Sequence, residues 1–395
     1  MQRRPRPPYS GPLLFSAGFR PLFLLAATYA ALVIPLWMAI WSGNITLDGP
    51  FSATDWHIHE MLFGYTSAVI AGFLFTAIPN WTGRMPTRGL ALMGLAALWL
   101  AGRLAVAGTL GLTPVAVLLL DCGFMAAIGV MIATEIIAGR NWGNLKVVAP
   151  VLFYLGANIT FHLEAMTTGQ AAIGRRLGFA MVVLLILLIG GRIIPSFTRN
   201  WLAGRSATPG PLPVPFGRYD GVSIGITLAA LLFWVAGPDN RIAGLGLILA
   251  AALQTARLAR WRGWRVWRSP LLLILHLAFG FIAAGLLALG LAALGYLPAA
   301  TGLHLLGIGG IGGMTLAVMM RASLGHTGRP LEAGVALTLA FGCIGLAALL
   351  RIATPTGPLL WATAAMWSLG FGIFIWRFAP VLTLPNPARR QVSGR

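Results

Sequence analysis

Apolar runs of about 20 residues recur twelve times along this chain, from 21–41 to 359–376. Each can cross a hydrocarbon layer of about 30 Å as a helix rising about 1.5 Å per residue. A water-soluble fold of 395 residues needs a polar surface, yet only 9% of the residues are charged and 58% are hydrophobic. The chain is therefore expected to be all-α, a polytopic membrane helix bundle with twelve transmembrane helices. Nothing between the runs is large enough for a soluble domain, so residues 1–395 read as a single membrane domain. The longest connection, 200–220, is rich in Pro and Gly and is expected to join two six-helix halves, about 15–200 and about 220–380. The basic start MQRRPRPPYSG lacks a following small-residue cleavage site, so 21–41 reads as a retained first span.

The formal charge of +19 argues for orientation rather than nucleic-acid binding, because the basic residues sit in short segments between apolar runs. With a cytoplasmic N-terminus, 21 of the 28 basic residues fall on the inner side, which places both termini in the cytoplasm. Arg175, Arg176, Arg241 and Arg351 break the rule on the outer side, and Arg20 and Arg103 read as snorkelling residues. The Trp-rich basic segment Arg257 to Arg268 is expected to meet anionic lipid headgroups of the bilayer. Cys122 and Cys343 both fall inside apolar runs and read as core side chains rather than a disulfide.

The densest polar grouping is Asp55-Trp56-His57-Ile58-His59-Glu60-Met61, immediately before the second run, 61–79, and expected at a water–lipid boundary. In the twelve-span topology His162 and Glu164 end span five on the same outer side, and His304 begins span ten there. Four of the six histidines thus converge on one face, while His276 and His326 lie toward the other. Imidazole binds haem iron, copper and zinc, so His57, His59, His162, His276, His304 and His326 are all candidate metal ligands. The alternative is a set of interfacial histidines bonded to backbone and water. On a regular helix His57 and His59 point about 200° apart, so they serve different partners unless the helix is distorted.

Gly307-Ile308-Gly309-Gly310-Ile311-Gly312-Gly313 follows His304 directly. Missing side chains there serve either close helix packing or the wall of a site for a flat macrocycle. His304, Ile308 and Ile311 share a face. Asp121 and Glu135 lie nearly four turns apart on one helix face, where buried carboxylates mark either a proton route or a structural pair. Arg192 falls at a depth suited to pairing with Glu135 or with a haem propionate. No CxxCH, CxxC, dinucleotide fingerprint or phosphate loop is present, so any haem is held non-covalently. An electron donor must then be membrane-soluble or another protein.

Several separated motifs resemble the NnrS family. They are Gly18-Phe19-Arg20-Pro21, the stretch from Trp56 to Gly64, Pro79-Asn80-Trp81-Thr82-Gly83-Arg84, Gly190 to Asn200, and Gly312 to Met319 continuing through Arg321 and Gly325-His326-Thr327-Gly328-Arg329. The resemblance covers nearly the whole chain. It implies a bacterial inner-membrane protein of twelve spans carrying a non-covalent, b-type haem and copper, associated with denitrification and tolerance of nitric oxide. Carried onto this chain, it implies His57, His59, His276, His304 and His326 as ligands, with Arg192, Arg199 and Arg329 in family motifs. Three classes of function compete: a redox protein acting on nitric oxide with protons entering by Asp121 or Glu135, a twelve-span transporter, and a protein that binds or senses haem, copper or nitric oxide without turnover.

Overall fold

The structure, a computed structural model, describes residues 9–84, 87–204, 210–353 and 357–386. Arg3, Arg4, Arg6, Arg205, Arg389, Arg390 and Arg395 of the inner basic set lie outside the described residues. The architecture is all helical, and no strand occurs among the described residues. The first six helices are α1 (Phe19–Trp41), α2, α3 (Leu90–Val106), α4 (Pro114–Ala138), α5 (Val148–Thr168) and α6 (Ala172–Ala203). The rest are α7 (Arg218–Ala236), α8 (Arg241–Arg260), α9 (Pro270–Ala293), α10, α11 (Gly334–Ala353) and α12 (Pro358–Thr383). All except α3 are long and apolar enough to cross a membrane, and α3 is a shorter apolar helix of 17 residues. The twelve expected runs each correspond to one of these helices.

Two of the helices are interrupted. Helix α2 comprises Ala53–His59, a π-helical stretch Glu60–Tyr65 and Thr66–Thr82. Helix α10 repeats the plan with Ala299–His304, a π-helical stretch Leu305–Gly312 and Gly313–His326. They are also the most buried spans, 83% of the apolar window in α2 and 72% in α10, so their side chains answer to protein rather than lipid. Neighbours in sequence pack side by side around this pair, and α12 closes the ring against α1. The Tyr65 and Thr315 hydroxyls, 2.5 Å apart, join the two interrupted helices directly.

Local chemistry sets the boundaries. Helix α4 starts where Thr113 accepts a hydrogen bond from the Ala116 amide, with Pro114 supplying the first turn. Helix α2 starts at Ala53, eight residues before the apolar run, because Ser52 accepts from the Asp55 amide and the Asp55 carboxylate accepts from the Ala171 amide at the foot of α6. Asp55, Trp56, His59 and Glu60 of the polar heptapeptide are thereby buried against protein. One difference from expectation concerns Arg257, expected at the lipid surface. It is fully buried, donates to Asp220 at 2.6 Å and to the Leu187 carbonyl at 3.1 Å, and ties α6, α7 and α8 together. Trp264 and Trp267, beyond it, are exposed as anchors should be.

Candidate metal and cofactor centre

The π-helical stretch of α2 shapes the first half of the site. A π-turn shifts backbone carbonyls out of the regular ladder, and here side chains take them up. The Trp99 indole donates to the Gly64 carbonyl at 2.9 Å, the Tyr154 hydroxyl donates to the Leu62 carbonyl, and the Thr66 hydroxyl donates to Met61 at 2.8 Å. Gly64 is tightly enclosed, because a Cβ there would meet the Arg103 guanidinium at 2.5 Å and the Glu60 carboxylate at 2.7 Å and force both to shift.

Those two groups belong to a buried polar cluster spanning α1 to α5. Arg103 on α3 donates to Glu60 at 2.5 Å and also to Asp121 on α4. Glu60 accepts in addition from the Tyr29 hydroxyl and from His59 Nδ1 at 2.8 Å. Asp121 Oδ2 accepts from Asn158 Nδ2 at 2.8 Å and faces His162 Nε2 at 3.0 Å and His59 Nε2 at 3.2 Å. Phe51, Phe63 and Phe161 wall the imidazoles, with ring centroids 4.8–5.4 Å from that of His59. These charges are buried away from bulk solvent, so their pairing with one another offsets the cost of desolvation.

The donors in this cluster do not match its acceptors. With His59 Nδ1–H donating to Glu60, its Nε2 presents a lone pair toward the Asn158 Oδ1 acceptor at 3.0 Å and toward Asp121. A cation or an added proton must lie between them. One ligand atom each from His59, Asp121 and His162 fall within 4.8 Å of one another, the spacing a metal ion needs. The Glu60–His59 contact has the form of the outer hydrogen bond that orients an imidazole when it ligates a metal. The donor set thus fits a metal.

The second half of the site is a cavity of about 780 Å³ on the other side of α2. His57 and His304 both line it, as do Ile308 and Ile311, so the expected shared face of α10 is real. His57 stacks on Trp37 with ring centroids 4.6 Å apart and planes 11° from parallel, and its buried Nδ1 has no partner. His304 Nδ1 donates to the Ala300 carbonyl at 2.7 Å, which fixes the tautomer and leaves Nε2 as a lone pair. Tyr65 lies in the wall, and Arg175, Arg176 and Arg351 line the cavity where α6 begins and α11 ends. This orphaned imidazole nitrogen and free Nε2 fit the axial chemistry of a haem.

The glycine run divides between the cavity lining and close packing. Gly307 opens onto the cavity, with its nearest neighbour 3.9 Å from a notional Cβ. A Cβ added at Gly309, Gly310 or Gly312 would instead fall 2.3–2.4 Å from Phe281, Ile282 or Trp367, so these three glycines serve close packing.

The four histidines expected on one face do lie at one end of the bundle, but α2 divides them into two sets, His57 with His304 and His59 with His162. His276 stands apart, 2.9 Å from the Thr198 hydroxyl. His326 packs on Phe19 with ring centroids 5.5 Å apart. Glu135 pairs with Arg84, not with Arg192, which donates to the Leu188 carbonyl at 2.8 Å and lies over Phe216. Arg329 lies in the loop after α10, away from both sets. Arg103, read from sequence as snorkelling, is the centre of the cluster. Asn158, Tyr29 and the three mouth arginines carried no motif, although an arginine on the wrong side of the charge rule is itself a signal.

Among the described residues, twelve apolar helices enclose a histidine-lined cavity and a buried carboxylate–imidazole cluster, the architecture of a multi-pass membrane protein whose interior donors fit a metal. The chain belongs to the NnrS family, whose model, described as NnrS protein, matches residues 13–386. Its place is accordingly the bacterial inner membrane. No curated protein matches the chain.

Proposed function

We propose that the protein binds haem and copper and handles nitric oxide in the membrane, in nitric oxide metabolism or resistance to nitrosative stress. Haem is assigned to the cavity with His304 Nε2 as iron ligand and His57 as the second imidazole. Copper is assigned to His59, Asp121 and His162. The observation that carries this reading is the pair of imidazoles on different helices facing one cavity, one with its tautomer fixed for ligation and one with an unpartnered nitrogen. When bound, haem supplies an iron that takes a diatomic ligand and copper supplies a one-electron couple. The chain's part is to orient His304 through Ala300 and His57 through Trp37, and to exclude water with an apolar lining. Glu60 and Arg103 hold His59 and Asp121 in place behind it.

A second reading, binding or sensing without turnover, is favoured by one observation. Asp121 and Glu135, the carboxylates expected to pass protons, are each held by an arginine. Anaerobic nitric oxide consumption with a chemical reductant separates the two readings.

The cofactor assignment is tested on purified protein. Haem absorbance that shifts with nitric oxide is expected, lost in His304→Ala with copper retained. His162→Ala is expected to lose copper and retain haem. Retention of both metals in both variants overturns the assignment.

A further inference from the structure

Three of the four arginines on the outer side in the proposed orientation, Arg175, Arg176 and Arg351, line the same cavity. The fourth, Arg241, does not. Cations on that side work against the charge rule that orients the chain, so their gathering at one mouth needs a ligand to explain it. They come from two helices distant in sequence, the start of α6 and the end of α11, and each is half-buried. Among the described residues none of the three forms an ion pair. Arg176 spends only its Nε, on the Val235 carbonyl at 2.9 Å. The acidic groups nearby do not balance them. Asp239 is the one carboxylate among the described residues of the lining, and Glu164 is occupied in capping the Ile173 and Gly174 amides.

Away from the mouth the lining is apolar and aromatic, including Trp37, Trp234, Trp367 and Ile308. The cavity therefore has a flat-walled apolar body, imidazole along one side and a net positive rim at one end. A phospholipid would satisfy the rim but leave the two imidazoles without purpose. A planar tetrapyrrole with two carboxylates on a single edge satisfies all three features at once.

Resting on the haem reading above, we propose that Arg175, Arg176 and Arg351 form a carboxylate clamp that recognises the two propionates and so sets which way the macrocycle enters. The clamp predicts selectivity for the dicarboxylate over its ester, a property that imidazole ligation alone does not confer. Guanidinium groups suit this role because they meet carboxylates with paired, directed donors.

The test titrates detergent-purified, full-length apoprotein with iron protoporphyrin IX and with its dimethyl ester, following absorbance and tryptophan fluorescence. Wild type is expected to bind the diacid at least about tenfold more tightly than the diester. Arg175→Gln/Arg351→Gln is expected to weaken diacid binding by about that factor while leaving diester binding unchanged. Arg241→Gln is expected to behave as wild type. Equal binding of the two compounds by wild type overturns the clamp and leaves the haem assignment standing, as does a double variant that keeps the wild-type preference. Failure of wild type to bind either compound overturns both.

Discussion

Arg103 joins two buried carboxylates, and among the described residues it is the one arginine paired with either. Removing it leaves Glu60 and Asp121 charged in a site walled by aromatic rings, and breaking a buried pair in this way costs about 3–5 kcal/mol. Arg103→Met is therefore expected to lower the thermal midpoint in detergent sharply. Arg103→Lys should recover little, since one ammonium does not reproduce the fork that reaches both carboxylates. A lysine variant as stable as wild type would show that charge alone is needed. Gly64→Ala is expected to act on the same contact from the other side, costing about 1–3 kcal/mol as its methyl pushes into the guanidinium. The sequence displayed Glu60 and Asp121 plainly but not their partner. An arginine near a helix end can equally snorkel to water, and only the packing of α3 against α4 turns Arg103 inward.

The interrupted helices govern the next scale up. In α2 the π-turn carries Glu60 at one end and the cavity-lining Tyr65 at the other, and its displaced carbonyls are met by side chains from α3 and α5. Tyr154→Phe should remove one hydrogen bond to the Leu62 carbonyl, at about 0.5–1.5 kcal/mol, visible as a lower melting temperature with helix content by circular dichroism unchanged. A melting temperature equal to wild type would show that the π-turn does not depend on this bond. The existence, type and order of all twelve helices were legible in hydropathy, because lipid enforces helical runs of a narrow length. The π-turns were not, because a shift of one backbone register leaves no mark on composition. The 200° divergence of His57 and His59 was legible, and it is the reason one short segment serves two sites.

At the scale of the whole molecule, α1 begins and α12 ends on the face opposite the cavity mouth, so both described ends of the chain share a side. The basic residues argue that this side is cytoplasmic. In a Cys122→Ala/Cys343→Ala background, a membrane-impermeant maleimide applied to spheroplasts should label Leu297→Cys at the mouth and spare Trp264→Cys. The reverse pattern would invert the orientation and with it the reading of Arg175, Arg176 and Arg351 as residues on the wrong side. That His304 joins His57 and His162 joins His59 was beyond the sequence, since it depends on α2 passing between the cluster and the cavity. The ring of helices closes last: Trp37 on the first span and Trp367 on the final one look into the same space. That space does not exist on the ribosome until translation is nearly complete. A chain released after its tenth span would carry every imidazole named above but lack the cavity wall that α11 and α12 supply, so a ligand of the cavity is expected to be enclosed only as assembly closes, whereas the cluster of His59, Asp121 and His162 is complete with α5.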